Sequence, residues 1–389
     1  MIPLSDRTRM IAPSMTFAID AKAKVLAAQG VDVCNFGVGE PDFVTPAHIR
    51  EAAKAALDAG YTKYTQTAGL PRLRALVAAK LNRENNLPYT PDQVMISTGG
   101  KQALYNILLA ILGPGDEMLI PVPYWVSYSE MVKLAGATPI FLPTSEATEF
   151  KITPEQLEAA ITPRTRALLL NSPSNPTGTV YTPEEITALA QVIVAHGIAV
   201  VADEIYEKLI YDGLRHVSIG SLGEDIFNLT VTCNGFSKAY AATGWRLGYA
   251  AGPRHVIEAA IDIQSHTTSG PNTFAQYGVI AALETSQESI EMMRATFERR
   301  RDLMYAGVSA IPGLVCPKPH GAFYLFPNIS ATGLDSITFC ERLLEQEHLA
   351  LVPGIAFGMD TNVRLSYATD IETIEKGIER LARFMRILR

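Results

Sequence analysis

Residues 228–252 read NLTVTCNGFSKAYAATGWRLGYAAG, two apolar runs separated by a loop of small residues. Runs of this kind predict two buried strands, at residues 228–232 and 245–252. Lys238 lies in the loop between them, where a lone ammonium group is costly to bury. The side chain therefore either reaches solvent or is kept for chemistry, because burial lowers the pKa of a lysine and frees its amine as a nucleophile.

Arg246 follows eight residues later, inside the second predicted strand, where its guanidinium group requires an anionic partner. A lysine that can form a Schiff base, beside an arginine that can bind a phosphate, is the pairing that a pyridoxal-phosphate site requires. A purely structural role for the stretch stays open at this point.

The composition of the chain indicates a globular enzyme. Its 389 residues suffice for two domains or one large one, and 48% of them are hydrophobic. No apolar stretch approaches the ~18 residues of a membrane span, and the first residues do not resemble a signal peptide. The net charge of −7 argues against nucleic acid as a partner. The four cysteines form no C-x-x-C pair, which is typical of reduced thiols in the cytoplasm.

Short apolar strands alternate with helical periods through the first two thirds of the chain. The predicted strands are 94–97, 117–121, 138–142, 166–170 and 198–206. This order predicts an α/β fold with a mainly parallel sheet covered on both faces, and ligands bind beyond the carboxyl ends of such strands. Asn175, Asp203 and Lys238 each follow a predicted strand. Asp203 and Glu204 could together bind a metal, but no neighbouring histidine or cysteine in the sequence completes a ligand set, so we expect none.

A Gly-Gly turn joins the strand at 94–97 to a helix, and Gly100 and Lys101 lie where the helix begins. Free backbone amides and the helix dipole at such a junction favour a phosphate. The turn alone is weak evidence, and Lys101 could equally be a solvated residue at a helix start.

The last third of the chain predicts a second, smaller domain. A charged helix at 287–310 leads to apolar strands at 322–326, 350–353 and 363–368, with helices near 336–348 and 371–388. Arg364 stands inside the last of these strands without an obvious local acid. It is either one half of a buried ion pair or a receptor for an anionic ligand.

Five motifs together resemble the class I pyridoxal-phosphate-dependent aminotransferases, most of all their bacterial aspartate aminotransferase group. They are GFSK at 235–238, TGWRLG at 243–248, NPTG at 175–178, DEIY at 203–206 and VRLSY at 363–367. The resemblance extends from Gly39 to the C-terminus. It implies fold type I: a large domain with a mostly parallel seven-stranded sheet covered by helices, and a smaller α+β domain. The expected boundaries are 1–45 for an N-terminal arm and part of the small domain, 46–286 for the large cofactor-binding domain and 287–389 for the small C-terminal domain.

By this resemblance the cofactor-binding residues are Gly100, Lys101, Trp125, Asn175, Asp203, Tyr206, Lys238 and Arg246, with Tyr64 added by the partner subunit of a homodimer. Lys238 would attach the cofactor and act as the catalytic base. Asp203 would keep the pyridine nitrogen protonated, Asn175 and Tyr206 would bind the phenolate oxygen, and Trp125 would stack on the ring. Taken alone, Trp125 could equally be a core anchor, and Tyr64 a surface tyrosine.

One position departs from the pattern of the family. Relatives often carry a serine three residues before the lysine as a phosphate ligand, and here Gly235 occupies that place. Ser237 could replace that serine, so the full set of phosphate ligands stays open.

The same resemblance implies that the substrate-binding residues are Thr16, Gly39, Lys101, Trp125, Asn175 and Arg364. Arg364 would bind the α-carboxylate with both arms of its guanidinium group, and the backbone amide of Gly39 would meet the same carboxylate. Without the resemblance, the segment around Gly39 would be interpreted as a surface turn. Lys101 and Thr16 match the positions that recognise the distal carboxylate.

The sequence therefore predicts a transaminase that moves the amino group of L-aspartate to 2-oxoglutarate in a ping-pong reaction, giving oxaloacetate and L-glutamate. The alternative is an aminotransferase of broader specificity, for aromatic amino acids or for prephenate and arogenate. Relatives that accept prephenate carry a basic residue where this chain has Ala12, which weakens that alternative. A pyridoxal-phosphate lyase is a further rival. A regulator built on the same domain would need a DNA-binding domain, for which residues 1–40 are too short.

Overall fold

The structure is a computed structural model that describes residues 2–11 and 15–388, apart from the side chains of residues 15–18 and 20. The strands are β1 Cys34–Asn35, β2 Val94–Ser97, β3 Glu117–Val122, β4 Thr138–Pro143, β5 Thr165–Asn171, β6 Ala199–Asp203, β7 Thr230–Gly235, β8 Gly248–Ala251, β9 Tyr324–Leu325, β10 Leu349–Ala350, β11 Val352–Pro353 and β12 Val363–Ser366. The helices are α1 Asp6–Arg9, α2 Met15–Ala28, α3 Ala47–Asp58, α4 Pro71–Asn85, α5 Gly100–Ile111, α6 Ser127–Leu134, α7 Pro154–Ala160, α8 Pro183–His196, α9 Glu224–Leu229, α10 Arg254–Ser265, α11 Thr273–Glu284, α12 Glu288–Ser309, α13 Ser336–Glu347 and α14 Ile371–Ile387. None of the helices in these described ranges is both long enough and apolar enough to cross a membrane.

Seven strands form the central sheet in the order β2-β8-β7-β6-β5-β3-β4. Only β8 runs antiparallel to its neighbours β2 and β7, and the other pairs are parallel. The predicted seven-stranded, mostly parallel sheet is confirmed. Asn171, Asp203 and Cys233 are paired side by side at the carboxyl ends of β5, β6 and β7. The residues that follow β5, β6 and β7 in the chain therefore lie together at one edge of the sheet.

Both faces of this sheet are buried, because successive side chains of a strand point to opposite faces. Leu168 and Val200 pack into one apolar core with residues of α7 and α8. Their neighbours Leu169 and Val201 pack into another with residues of α5, α6 and α10. This explains why the central strands are apolar throughout rather than alternating with polar residues.

The last hundred residues form a smaller layer of their own. Strands β11, β12 and β9 make an antiparallel sheet, and β1 pairs with β10 in parallel. Cys34 and Phe36 share an apolar core with Phe297 of α12, Phe339 of α13 and Phe384 of α14. The chain before residue 45 thus packs with the C-terminal part. This contact supports the domain boundaries at residues 45 and 286, which stay a prediction.

Three predicted strands around the key lysine needed correction. Residues 228–229 end helix α9, and β7 begins at Thr230. The run predicted at 198–206 stops being a strand at Asp203. The run predicted at 245–252 is a strand only from Gly248, because Arg246 adopts a left-handed conformation with φ 55° directly after a short 3-10 turn. Arg246 is consequently exposed rather than inside the core.

Candidate active site

A cavity of about 570 Å³ opens at the carboxyl edge of the central sheet, next to the smaller layer. Of the residues predicted from the sequence, it is lined by Gly39, Gly100, Lys101, Trp125, Asn175, Asp203, Tyr206, Lys238, Arg246 and Arg364. Tyr64 does not line it, since its side chain is 97% exposed on the surface of this chain. The predicted contact of Thr16 lies outside the described residues, as does Ala12.

Lys238 stands in the loop that follows β7, as the sequence predicts, and its Nζ donates a hydrogen bond to the carbonyl oxygen of Gly39 at 2.5 Å. Burial lowers the pKa of this lysine to about 8, although Glu40 opposes the change, and the positive charges of Arg364 and Arg246 lower the pKa further. Near neutral pH the amine is thus much closer to its nucleophilic, unprotonated form than an ordinary lysine.

Asp203 ends β6 and is buried on all sides. One carboxylate oxygen accepts a hydrogen bond from the hydroxyl of Tyr128 at 2.6 Å, and the other accepts one from the backbone N–H of Ile205 at 3.2 Å. Burial raises the pKa of Asp203 to about 6, while these two hydrogen bonds and Lys238 act in the opposite direction. A protonated nitrogen placed against this carboxylate would keep it ionised.

Arg364 projects from β12 and is 4% exposed. Its guanidinium group donates to the side-chain oxygen of Asn175 at 3.0 Å and to the carbonyl oxygen of Gly37 at 2.9 Å, while its Nε has no hydrogen-bond partner. No carboxylate of the described residues forms a salt bridge with it, and burial lowers its pKa, with Tyr324 and Tyr206 acting in the opposite direction. A buried arginine without an acid is arranged to receive an anion from outside the chain.

Another part of the cavity wall combines a helix N-terminus with a second arginine. Helix α5 begins at Gly100, and a Cβ atom on the preceding Gly99 would lie 2.6 Å from Nη2 of Arg246. Glycine at this place, with φ 89°, therefore lets the guanidinium group approach the free amides of the helix. Among the described residues, Arg246 donates only to the carbonyl of Thr243, at 2.9 Å, which leaves most of its donors for an anion.

The departure at Gly235 has a steric reason. A Cβ atom there would lie 3.2 Å from the Cα of Gly248 on the paired strand and 3.1 Å from Cδ1 of Ile205. A serine would thus need the two strands to move apart. Ser237, two residues on, lines the cavity instead.

Lys101 and Trp125 form one wall together. The Nζ of Lys101 lies 4.8 Å from the centre of the Trp125 ring, which stands edge-on to Tyr128 at 5.2 Å. Burial and the nearby Arg246 both lower the pKa of Lys101. Lys101 lines the cavity although the residue is exposed in this single chain, so its role in the site stays a prediction beside its interpretation as a solvated residue at a helix start.

Several lining residues escaped the sequence analysis. Tyr128, Asn234 and Tyr324 all contribute to the cavity, and the side-chain nitrogen of Asn234 is buried without a partner. Asn234 could have been found, because it lies at the end of β7 as Asp203 lies at the end of β6. Tyr324 could not have been found, because a tyrosine within an apolar strand is usually a residue of the hydrophobic core.

The sequence analysis also missed a histidine beside the paired acids. Nε2 of His216 lies 3.1 Å from Glu204, and Glu207 completes a group whose ligand atoms lie within 4.8 Å of one another. Lys80 already forms a salt bridge with Glu207, to which Asn85 also donates at 2.7 Å. Burial alone would raise the pKa of Glu207, but Lys80 and His216 lower it to about 2. We interpret the group as an internal charge network in which the lysine supplies the cation.

Comparison with known proteins identifies the class to which this fold and cavity belong. The family model for aminotransferases of class I and II matches residues 31–381, and the chain belongs to that family. The protein is accordingly a transaminase.

Individual relatives show which members of this family the chain resembles. The chain is 50% identical to the aspartate aminotransferase of Geobacillus stearothermophilus over 98% of both chains. It is 48% identical to an aspartate/prephenate aminotransferase of Cereibacter sphaeroides over the same shares. The aspartate aminotransferase of Thermus thermophilus, solved with maleate, superimposes with a TM-score of 0.95 at 46% identity, covering 99% of this chain and all of the other.

Proposed function

We propose that the protein is a pyridoxal-phosphate-dependent aspartate aminotransferase, transferring the amino group of L-aspartate to 2-oxoglutarate. The observation that carries the proposal is the pairing, in one cavity, of a lysine whose pKa is lowered to about 8 with a buried arginine that no acid of the described residues neutralises. The lysine suits attachment of a carbonyl compound, and the arginine suits binding of a carboxylate. Both are needed to act on an amino acid.

The donors and acceptors of the cavity fit pyridoxal phosphate. A helix N-terminus with Arg246 offers a phosphate site, Lys238 offers the amine, and Asp203 offers a buried carboxylate for a protonated ring nitrogen. The side-chain nitrogen of Asn234 and Nε of Arg364 are buried donors that find no partner among the residues at 2–11 and 15–388 that the structure describes. Unsatisfied buried donors carry a free-energy cost that a polar ligand removes.

The bound cofactor would supply an electron sink for the carbanion formed at the substrate's α-carbon. The residues of this chain hold and orient the reactants. Asp203 would keep a positive charge on the ring nitrogen, Arg246 and the amides at Gly100 would hold the phosphate, and Trp125 would cover the ring face. Asn175 already accepts from Arg364 through its oxygen, so its nitrogen is the atom left to donate to the ring oxygen, next to Tyr206.

Arg364 would bind the α-carboxylate of the amino acid and so orient the substrate beside Lys238. The amine of Lys238 would act as the base for the α-proton, because its lowered pKa lets it both accept and release a proton near neutral pH. The second half-reaction uses the same groups in reverse to make L-glutamate.

The preference for a dicarboxylate rests on Lys101, whose ammonium group faces the cavity beside Trp125. The relative solved with maleate, itself a dicarboxylate, supports this choice. The alternative is a broader aminotransferase that also accepts prephenate, and it is favoured by the relatives named aspartate/prephenate aminotransferases.

We further propose that the protein is a homodimer in which Tyr64 reaches the phosphate of the partner subunit. The exposure of Tyr64, 97% in the single chain, is what such a contact requires. The four cysteines are free thiols, three of them buried, which suits the cytoplasm.

The decisive experiment is the visible absorption spectrum of the purified protein with pyridoxal phosphate, followed on addition of aspartate or phenylalanine. A band in the visible region that disappears in Lys238→Ala but persists in the exposed control Lys54→Ala is expected. Aspartate should convert the band and phenylalanine barely so. A protein without any such band would refute the proposal.

The specificity is tested separately with Lys101→Ala. Loss of one charged contact should lower kcat/KM for aspartate about tenfold to a hundredfold and leave that for phenylalanine almost unchanged. An equal loss for both amino acids would show that Lys101 serves the cofactor rather than the distal carboxylate.

A further inference from the structure

Tyr324 connects two parts of the active site that the proposed mechanism treats separately. It begins β9, where it pairs with Ser366 of the antiparallel β12, and it is 1% exposed. Ser366 and Arg364 lie two residues apart on β12, so their side chains share one face of the sheet. Tyr324 is the diagonal neighbour of Arg364 on that face, within reach of a long aromatic side chain.

The ring of Tyr324 covers the arginine. The guanidinium carbon of Arg364 lies 4.4 Å from the ring centre of Tyr324 and 5.0 Å from that of Phe357. The negative face of an aromatic ring offsets a positive charge without occupying its hydrogen-bond donors. A carboxylate in the same place would neutralise Arg364 and compete with the substrate. The ring therefore stabilises the buried charge and leaves the guanidinium fork able to bind a carboxylate.

The phenol of the same residue contacts Tyr206. The two hydroxyl oxygens lie 2.9 Å apart, and both residues are buried. A Cβ atom on Gly39 would lie 3.3 Å from the hydroxyl oxygen of Tyr324, so the glycine leaves room for this phenol. A hydroxyl that receives a hydrogen bond becomes a better donor itself. If Tyr324 donates to Tyr206, the proton of Tyr206 is directed into the cavity.

We propose that Tyr324 is a positioning residue with two functions: its hydroxyl orients that of Tyr206 toward the cofactor, and its ring holds Arg364 ready for the α-carboxylate. The proposal rests on the proposed function, because it assumes that a cofactor oxygen meets Tyr206 and that a carboxylate meets Arg364. It goes beyond the proposed function of the protein because it assigns two roles, orienting Tyr206 and supporting Arg364, to the single side chain of Tyr324.

Two variants separate the two functions. Tyr324→Phe removes the hydroxyl and keeps the ring, whereas Tyr324→Leu removes both. Phe357→Leu is the matched control, because it removes the other ring at Arg364 and leaves the hydroxyl contact intact. Folding of each variant is checked by circular dichroism. If Tyr324→Leu does not fold, Tyr324→Phe still tests the role of the hydroxyl, and Phe357→Leu still tests whether a ring at Arg364 supports binding of a carboxylate.

The first measurement is the pH at which the visible band of the bound cofactor shifts. A weaker donor at Tyr206 stabilises the phenolate less, so the protonated form of the chromophore should persist to higher pH. The midpoint should rise by about 0.4 to 1 pH unit in Tyr324→Phe and Tyr324→Leu, which corresponds to the loss of one hydrogen bond. It should not change in Phe357→Leu.

The second measurement is the dissociation constant of maleate, a dicarboxylate that has no amino group to transfer. It should rise about threefold to thirtyfold in Tyr324→Leu and in Phe357→Leu, and less than twofold in Tyr324→Phe. Equal weakening in Tyr324→Phe and Tyr324→Leu would overturn the function of the ring. An unchanged midpoint in Tyr324→Phe would overturn the function of the hydroxyl. Failure of the proposed function would look different, because the unmodified protein would then show no visible band.

Discussion

Lys238 should destabilise the cofactor-free protein, so that its replacement by methionine stabilises the fold. Burial lowers the pKa of the ammonium group from about 10.5 to about 8. At ~1.4 kcal/mol for each pH unit, holding the charged form in the folded protein costs about 3 kcal/mol. The amine keeps a hydrogen bond to the carbonyl of Gly39, worth ~1 kcal/mol. Lys238→Met should therefore raise the free energy of unfolding by about 2 kcal/mol at pH 7.

The pH dependence identifies the cause. Below pH 8 the lysine is protonated in both the folded and the unfolded chain, and its cost is fully present. Between pH 8 and 10.5 the unfolded chain binds more protons than the folded one, so the stability of the unmodified protein rises relative to that of Lys238→Met. The advantage of the variant should accordingly be lost by pH 10.5, where the hydrogen bond to Gly39 favours the lysine.

The assay is urea unfolding of both cofactor-free proteins at one protein concentration, at pH 7 and at the highest pH at which unfolding stays reversible. Lys54→Met is the matched control, because Lys54 is exposed and pairs only with Glu51 on the same helix. It should follow the unmodified protein at both pH values. A Lys238→Met protein that is less stable at pH 7, or equally stabilised at both pH values, would refute the reasoning.

Three further outcomes are expected. Tyr128→Phe removes the hydroxyl that donates to Asp203 at 2.6 Å, so the pKa of Asp203 should rise further. The cofactor-free protein loses affinity for pyridoxal phosphate when Asp203 is protonated. The pH of this loss should therefore rise by about half a unit to one unit in the variant. Asp42→Asn leaves Arg300 without the carboxylate that binds both its terminal nitrogens at 2.8 Å, and urea unfolding should show a loss of about 1–2 kcal/mol. If the proposed homodimer forms, Tyr64→Phe should weaken cofactor binding about tenfold, measured by equilibrium dialysis, and a normal affinity would contradict the subunit-interface role.

The residues that follow the central strands could be predicted from the sequence, because a parallel sheet fixes where they meet. Asn175, Asp203 and Lys238 each come after an apolar run, and side-by-side pairing of β5, β6 and β7 brings them to one edge. The period of the apolar residues is sufficient for this, whatever the exact strand ends. The same reasoning placed Gly100, where strand β2 passes into α5.

The errors arose where chain direction is set by contacts distant in sequence. Arg246 was predicted inside a strand because its neighbours are apolar, yet a Cβ atom on Gly248 would lie 2.2 Å from the backbone nitrogen of Gly100. That close approach fixes where β8 can begin, and the sequence around Gly248 contains no pattern that predicts the contact. His216 was likewise missed beside Glu204, because eleven residues of irregular chain lie between them in the sequence.

The loop at residues 37–42 explains how one site can hold two unneutralised cations. Its carbonyl oxygens at Gly37 and Gly39 accept hydrogen bonds from Arg364 and Lys238, respectively. Carbonyl oxygens carry partial charge, so they offset burial of the cations without neutralising them. Substrate and cofactor carry full charges or form covalent bonds, and they compete favourably with such partners. The end of the loop is fixed by the pair between Asp42 and Arg300 of α12, so the carbonyl contacts at both cations depend on the placement of one loop between the two layers. A shift of α12 and the layer around it would therefore displace the carbonyl partners of Arg364 and Lys238 together.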